Sequence, residues 1–246
     1  MHNLGETRSA HHRNHVLQTP DTFVRAVLPG MKKGMGIAHT GPALGAAFTQ
    51  YTAELEGSGE LGGTYAQRFI YVLEGAVEVE AKQKQSKLGP RGFAYFPQGT
   101  AHRVTARKTS RLAVIEKNYQ SVDGIAVPQL IVSSEDDVKG QPLGDDCDLQ
   151  VKCMLPDNPS FDFAVNTMTY QPGSALSMVE MHVMEHGLIM LEGGGIYRLG
   201  DQWYPVTTGD FIWMGPWCPQ WFGAIGKKPA KYLIYKDWNR HPLAPR

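Results

Sequence analysis

Apolar and polar residues alternate along this chain in short runs separated by turn-forming residues. Residues 76–81 read AVEVEA, a period of two that sends valines to one face and glutamates to the other. Runs rich in Val, Ile, Phe, Tyr and Trp recur at 68–73 (RFIYVL), 92–96 (GFAYF), 112–117, 187–191, 210–214 and 231–235, and each predicts a strand. No stretch carries the apolar stripe of a long amphipathic helix. Strands this short, closed by frequent Gly and Pro, predict an all-β chain folded as a sandwich or barrel.

The strands fall into two copies of one unit. Leu73-Glu74-Gly75 recurs as Leu191-Glu192-Gly193, and the same offset relates Pro97 to Gly215 and His102 to Gln220. In both copies an apolar strand runs into the Leu-Glu-Gly turn, and a later aromatic strand runs into a Pro/Gly turn and a polar residue. This places the first copy at 51–132 and the second at 151–246. The polar stretch 133–150 is expected as a linker, and 1–50 as a lead-in packing on the barrels.

Composition narrows the partners. Twenty-four Lys and Arg balance 24 Asp and Glu, so no overall basic field gathers nucleic acid or an anionic membrane. A small molecule is the expected partner. The densest basic run, KQKQSK at 82–87, falls where a hairpin loop is expected and reads as solvated. Three cysteines, an odd number without CxxC spacing, fit a reducing compartment better than a disulfide framework. Residues 1–20 lack a continuous apolar core, and no run reaches the roughly 20 apolar residues of a membrane helix. A soluble, cytoplasmic protein is expected.

The second copy carries the chemistry. Glu180 and His182 are two residues apart, so on a strand both side chains leave one face, and a hairpin-like return brings His186 beside them. Gln220 enters from another strand. One carboxylate, two imidazoles and an amide suit a divalent ion such as Mn(II), Fe(II), Ni(II) or Zn(II), and the absence of thiolates disfavours a structural zinc site. Glu185 has the wrong parity to join His186. In the first copy the matching positions are Gly62, Thr64 and Arg68, with His102 in place of Gln220, which makes no equivalent site. Trp213, Trp217 and Trp221 are expected as pocket wall and core around Gln220, and Cys218 has no base at a spacing that would make it a nucleophile.

The order Gly173, Glu180-x-His182-x3-His186, Gly193, then Gly209 to Gln220, resembles the two motifs of the cupin superfamily, with Glu in place of the usual first His. With Tyr197, the closing Tyr232-x3-Lys236, and the lead-in runs HVLQTPDTFVRAVLPG and GPALGAAFTQY, it resembles the (S)-ureidoglycine aminohydrolase family of bicupins over essentially the whole chain. That resemblance implies two tandem jelly-roll barrels and a Mn(II) ion on Glu180, His182, His186 and Gln220. It implies hydrolysis of (S)-2-ureidoglycine to (S)-ureidoglycolate and ammonia in purine catabolism. Tyr197, Tyr232 and Lys236 would contact substrate, and Glu180 and Lys236 would take part in catalysis. The same four ligands would also serve a cupin dioxygenase, or a bicupin that binds a metabolite without catalysis. Bicupins often assemble through their sheets, so a homo-oligomer is expected.

Overall fold

The structure, a computed structural model, describes residues 5–240, so residues 1–4 of the expected lead-in and 241–246 of the expected second copy lie outside the described residues. The described chain is built of strands joined by turns and three short 3-10 turns, as the alternating pattern requires. It divides into two compact units. One takes residues 24–138 with 158–162 and 239–240, and the other takes residues 5–23, 139–157 and 163–238.

In the first unit nine strands form one sheet, with Gln67–Glu74 between Gly92–Phe96 and Ser110–Lys117. Alternate residues of these strands, among them Ile70, Val72, Ala94, Phe96, Leu112 and Val114, fill its core. Val77–Ala81 turns into Lys84–Leu88 through Lys82 and Gln83, both at positive φ (48° and 60°), the backbone of a tight two-residue hairpin. The basic run therefore lies on an exposed hairpin, as expected.

The second unit has an eight-stranded sheet and a three-stranded sheet. In the larger one, His186–Glu192 lies between Phe211–Met214 and Ala230–Asp237, and Ala230–Asp237 pairs on its other side with Phe163–Tyr170. In the smaller one, Gly194–Leu199 pairs with Gln202–Thr207 and Gln220–Ala224. Leu188, Met190, Ile212, Met214, Tyr170, Tyr197, Phe222, Tyr232 and Ile234 form one shared interior. The repeated Leu-Glu-Gly turn has a steric reason. Gly75 (φ 88°) and Gly193 (φ 65°) sit so close to the backbone that an added Cβ would fall 2.4 Å from the Thr109 carbonyl oxygen and 2.5 Å from that of Pro229.

The segments outside the repeats form strands of their own. The lead-in is shared out: His15–Gln18 adds to the second unit beside Phe211–Met214, whereas Lys32–Thr40 pairs with Thr49–Glu60 in the first. Arg8 holds the former in place through two hydrogen bonds to the fully buried Asp210, at 2.6 and 2.9 Å. The stretch expected as a linker is structured. Ile131–Ser134 pairs with Gly92–Phe96, and Gln141–Leu143 with Asp146–Cys153. Its polar composition belongs to edge strands, which keep charge and polarity outward.

Candidate active site

The site is set by strand register. His186 lies opposite Lys236 on one side and Met214 on the other, and Lys236 lies opposite Ala164. Leu188 and Met190, two and four residues after His186, are core residues, as are Ile234 and Tyr232 before Lys236. Parity therefore turns His186 and Lys236 into the interior of the unit.

Gln220 arrives from the smaller sheet, and Phe222 and Ala224 of the same strand fix its inward face. The expected strand at Glu180 and His182 is absent. Residues 177–185 are irregular, apart from a single bridge in which Glu180 and Gln220 exchange backbone hydrogen bonds, each 2.9 Å. The His182 carbonyl accepts from Trp217 N–H at 2.8 Å, and Trp217 takes a positive φ of 64°. These tethers bring His182 and Glu180 to Gln220 without a regular strand, because backbone partners from residues 217 and 220 replace a sheet neighbour.

Three of the four expected side chains meet. His182 Nε2 lies 3.3 Å from His186 Nε2 and 2.9 Å from the Gln220 side-chain amide, and Glu180 Oε2 lies 3.9 Å from His182 Nε2. His186 Nδ1 donates to the Tyr235 carbonyl at 3.3 Å, which leaves a lone pair on Nε2 facing the others. Burial first, then the neighbouring His182 and Lys236, pushes His186 down to about 3, so it is neutral at any physiological pH. The amide's oxygen and nitrogen are interchangeable by a flip, so Gln220 can turn its oxygen to the same point. Among the described residues, no three His, Cys, Asp or Glu side chains close on one point by themselves. The Glu180 carboxylate, 40% exposed, stands off at the rim. Two imidazoles, an amide oxygen and an adjacent carboxylate are nevertheless the donor chemistry of a borderline divalent cation.

Lys236 is half-buried, with its ammonium 4.2 Å from the centre of the Trp238 ring. Burial lowers its pKa, and the charges of Cys153, Asp157 and Glu180 work in the opposite direction. Tyr197 and Tyr232 lie deeper, each 1% exposed. The Tyr232 hydroxyl is 2.7 Å from that of Tyr170 and 3.3 Å from Met168 Sδ, and Phe222 packs against Tyr170, Tyr197 and Tyr232. Sequence reasoning did not single out Tyr170, Asn166 or Trp238. For the first two, the signal available was the alternation of residues 163–170.

Glu185 points to the opposite face, where its carboxylate accepts from Trp213 Nε1 at 3.0 Å. The three tryptophans expected around Gln220 do not form one wall. Trp213 is buried on that opposite face, Trp217 is exposed, and Trp221 donates to the Leu176 carbonyl at 2.7 Å. The Cys218 thiol is buried and its pKa raised by that burial, the reverse of an activated nucleophile.

In the first unit the equivalent positions hold a cation that the chain supplies itself. The Arg68 guanidinium, 3% exposed, binds Glu116 Oε1 at 2.6 and 2.9 Å, the Gly62 carbonyl at 2.7 Å and His102 Nε2 at 2.9 Å. His102 Nδ1 bonds the Thr100 carbonyl at 2.7 Å, and its ring stacks on Phe96. Arg68, Gly62 and His102 stand at the repeat positions of His186, Glu180 and Gln220.

Two strand barrels from duplicated sequence, one with imidazoles and an amide converging inside it and a carboxylate at their rim, are the form of a bicupin. The cupin-domain family model matches residues 63–116 and 166–235. The (S)-ureidoglycine aminohydrolase of Arabidopsis thaliana is 40% identical over 97% of this chain and 80% of its own length, and that of Escherichia coli 31% identical over 93% and 90%. A crystal structure described as a putative glyoxylate-induced protein of Pseudomonas aeruginosa superposes with a TM-score of 0.90 at 28% identity, covering 100% of this chain and 96% of that one. Within the cupins, the chain belongs to the (S)-ureidoglycine aminohydrolase family, hydrolases that act on a C–N bond.

Proposed function

We propose that the second unit converts (S)-2-ureidoglycine and water to (S)-ureidoglycolate and ammonia, with Mn(II) held by Glu180, His182, His186 and Gln220. The observation that carries this reading is the convergence of the His186 imidazole and the Gln220 amide on His182, at 3.3 and 2.9 Å, with Lys236 opposite His186 in the strand register. In the balanced reaction the bond from the central carbon to its amine breaks and a bond from that carbon to the water oxygen forms. One water proton ends on the departing ammonia.

The chain's own groups divide this work. The Lys236 ammonium offers three donors to the substrate carboxylate, and its lowered pKa also lets it give a proton to the leaving amine. Glu180, at the solvent side of the cluster, would take the proton of the incoming water. Tyr197 and Tyr232 close the inner side of the substrate and exclude bulk water. A bound divalent ion supplies Lewis acidity and a fixed template for the polar groups. Three free cysteines support a reducing, cytoplasmic setting, and no described helix is long and apolar enough to cross a membrane.

The test is ammonia release from freshly generated (S)-ureidoglycine by metal-stripped protein reloaded separately with Mn(II), Fe(II), Ni(II) or Zn(II), beside Glu180→Ala. The expected result is a stereospecific, Mn(II)-supported reaction. In the variant it should fall by more than the roughly 10- to 100-fold typical of losing an outer-shell partner. A chain that accelerates ammonia release with none of the four ions refutes the proposal.

A further inference from the structure

Phe163–Tyr170 sends four side chains into the interior. The Tyr232 hydroxyl contacts Met168 and Tyr170, so that face is the inner one, and Asn166 and Ala164 share it by parity. The register stacks these residues in rows. His186, Lys236 and Ala164 form one row, Leu188, Ile234 and Asn166 the next, and Met190, Tyr232 and Met168 the third. Asn166 is the polar member of an otherwise apolar middle row. It is 4% exposed, and its buried side-chain oxygen accepts no hydrogen bond from any of the described residues. Leaving such an oxygen unpaired costs about 1–3 kcal/mol. Packing alone would favour leucine here. A local rule broken in the interior, one row below the candidate site, marks a group held for a ligand.

The ligand's chemistry follows from the amide and its neighbours. A carboxamide offers one acceptor and two donors. A ureido group offers the complement, with N–H groups to give and a carbonyl to receive, so the two can pair through parallel hydrogen bonds. Lys236, one row nearer the rim, takes a carboxylate. A molecule with a carboxylate and a ureido group on one carbon can then engage both rows, its remaining amine directed to the side of Glu180 and the imidazoles. We infer that Asn166 is the residue that recognises the ureido group, an inference that rests on the reaction proposed above and names the determinant of its specificity.

The test uses the Mn(II)-loaded enzyme and two variants, Asn166→Leu, close in volume, and Asn166→Ala. Inhibition constants are measured for N-carbamoylglycine, which keeps the carboxylate and ureido groups, and for N-acetylglycine, in which a methyl replaces the terminal ureido nitrogen. The wild type is expected to prefer the carbamoyl compound at least about 10-fold, and both variants to bring that ratio close to one. Manganese content should be unchanged, and Asn166→Leu should melt at or above the wild-type temperature, which a structural asparagine would not allow. An unchanged ratio in both variants, or loss of manganese from both, overturns the assignment while leaving the reaction standing. A wild type that neither binds N-carbamoylglycine nor releases ammonia from ureidoglycine fails at the reaction itself and takes the assignment with it.

Discussion

A histidine sealed away from water stays neutral, and the protein depends on this at more than one place. His39, 3% exposed, bonds Thr52 Oγ1 at 2.8 Å, and burial together with Arg111 pushes it down to about 3. Its folded pKa lies below the unfolded value near 6.5, so acid protonates the unfolded chain first. The stability it contributes is complete above pH 6.5 and falls with decreasing pH, by about 1.4 kcal/mol per pH unit for each such proton, until the folded value is reached. Thermal melts from pH 7 to pH 5 should show this decline, and His39→Gln should remove one proton's share of the slope. An identical slope in the variant would mean that His39 does not stay neutral. At this scale the sequence was informative about identity and less so about conformation. The spacing of Glu180, His182 and His186 marks them as candidates, but the backbone that presents them is held by residues 217 and 220. No periodicity within 177–185 records those tethers.

Strands were the most legible elements, because alternation and turn residues act locally. The seven expected runs each lie on an observed strand, and the Leu-Glu-Gly offset locates equivalent turns whose glycines are sterically required. The offset also identifies positions 62, 64 and 68 as unable to repeat the site. It does not show that Arg68 fills the space with its own charge, because Glu116 belongs to no motif. That ion pair is now testable. Arg68→Met leaves the partly buried Glu116 carboxylate, 20% exposed, without its guanidinium and with the Tyr51 hydroxyl at 2.8 Å still bonded to it. The expected loss is roughly 3–5 kcal/mol in the first unit. Calorimetry should show the transition of that unit shifted down, with recovery on adding Glu116→Gln. Metal analysis of the wild type should give one bound ion per chain, not two. Two per chain would contradict the view that the guanidinium occupies the first site.

Long-range connections were the least legible. Nothing in residues 8–18 announces that they complete the second unit, since a short edge strand and one arginine look the same whichever barrel they join. Arg8 and Asp210 make the connection measurable. Asp210 is fully buried and also accepts from Thr207 N–H at 2.9 Å, whereas Arg8 is 39% exposed at the rim. Solvent reaches the guanidinium, so Arg8→Met is expected to remove about 2 kcal/mol, less than a wholly buried pair would lose. A lower melting temperature for the unit containing Phe211–Met214, with the metal content of the protein unchanged, would match this. No change in either unit would leave Arg8 without a structural role. The pairing of His15–Gln18 with Phe211–Met214 also imposes an order on synthesis. Every strand of the first barrel lies within residues 32–134 and can assemble while the ribosome is still working. The apolar Val16 and Leu17 have to wait for a partner made almost two hundred residues later, on the order of 10–40 s at ordinary elongation rates. During that interval the emerging chain carries an unpaired sticky edge at His15–Gln18, a natural point of engagement for chaperones and of misassembly when translation is fast.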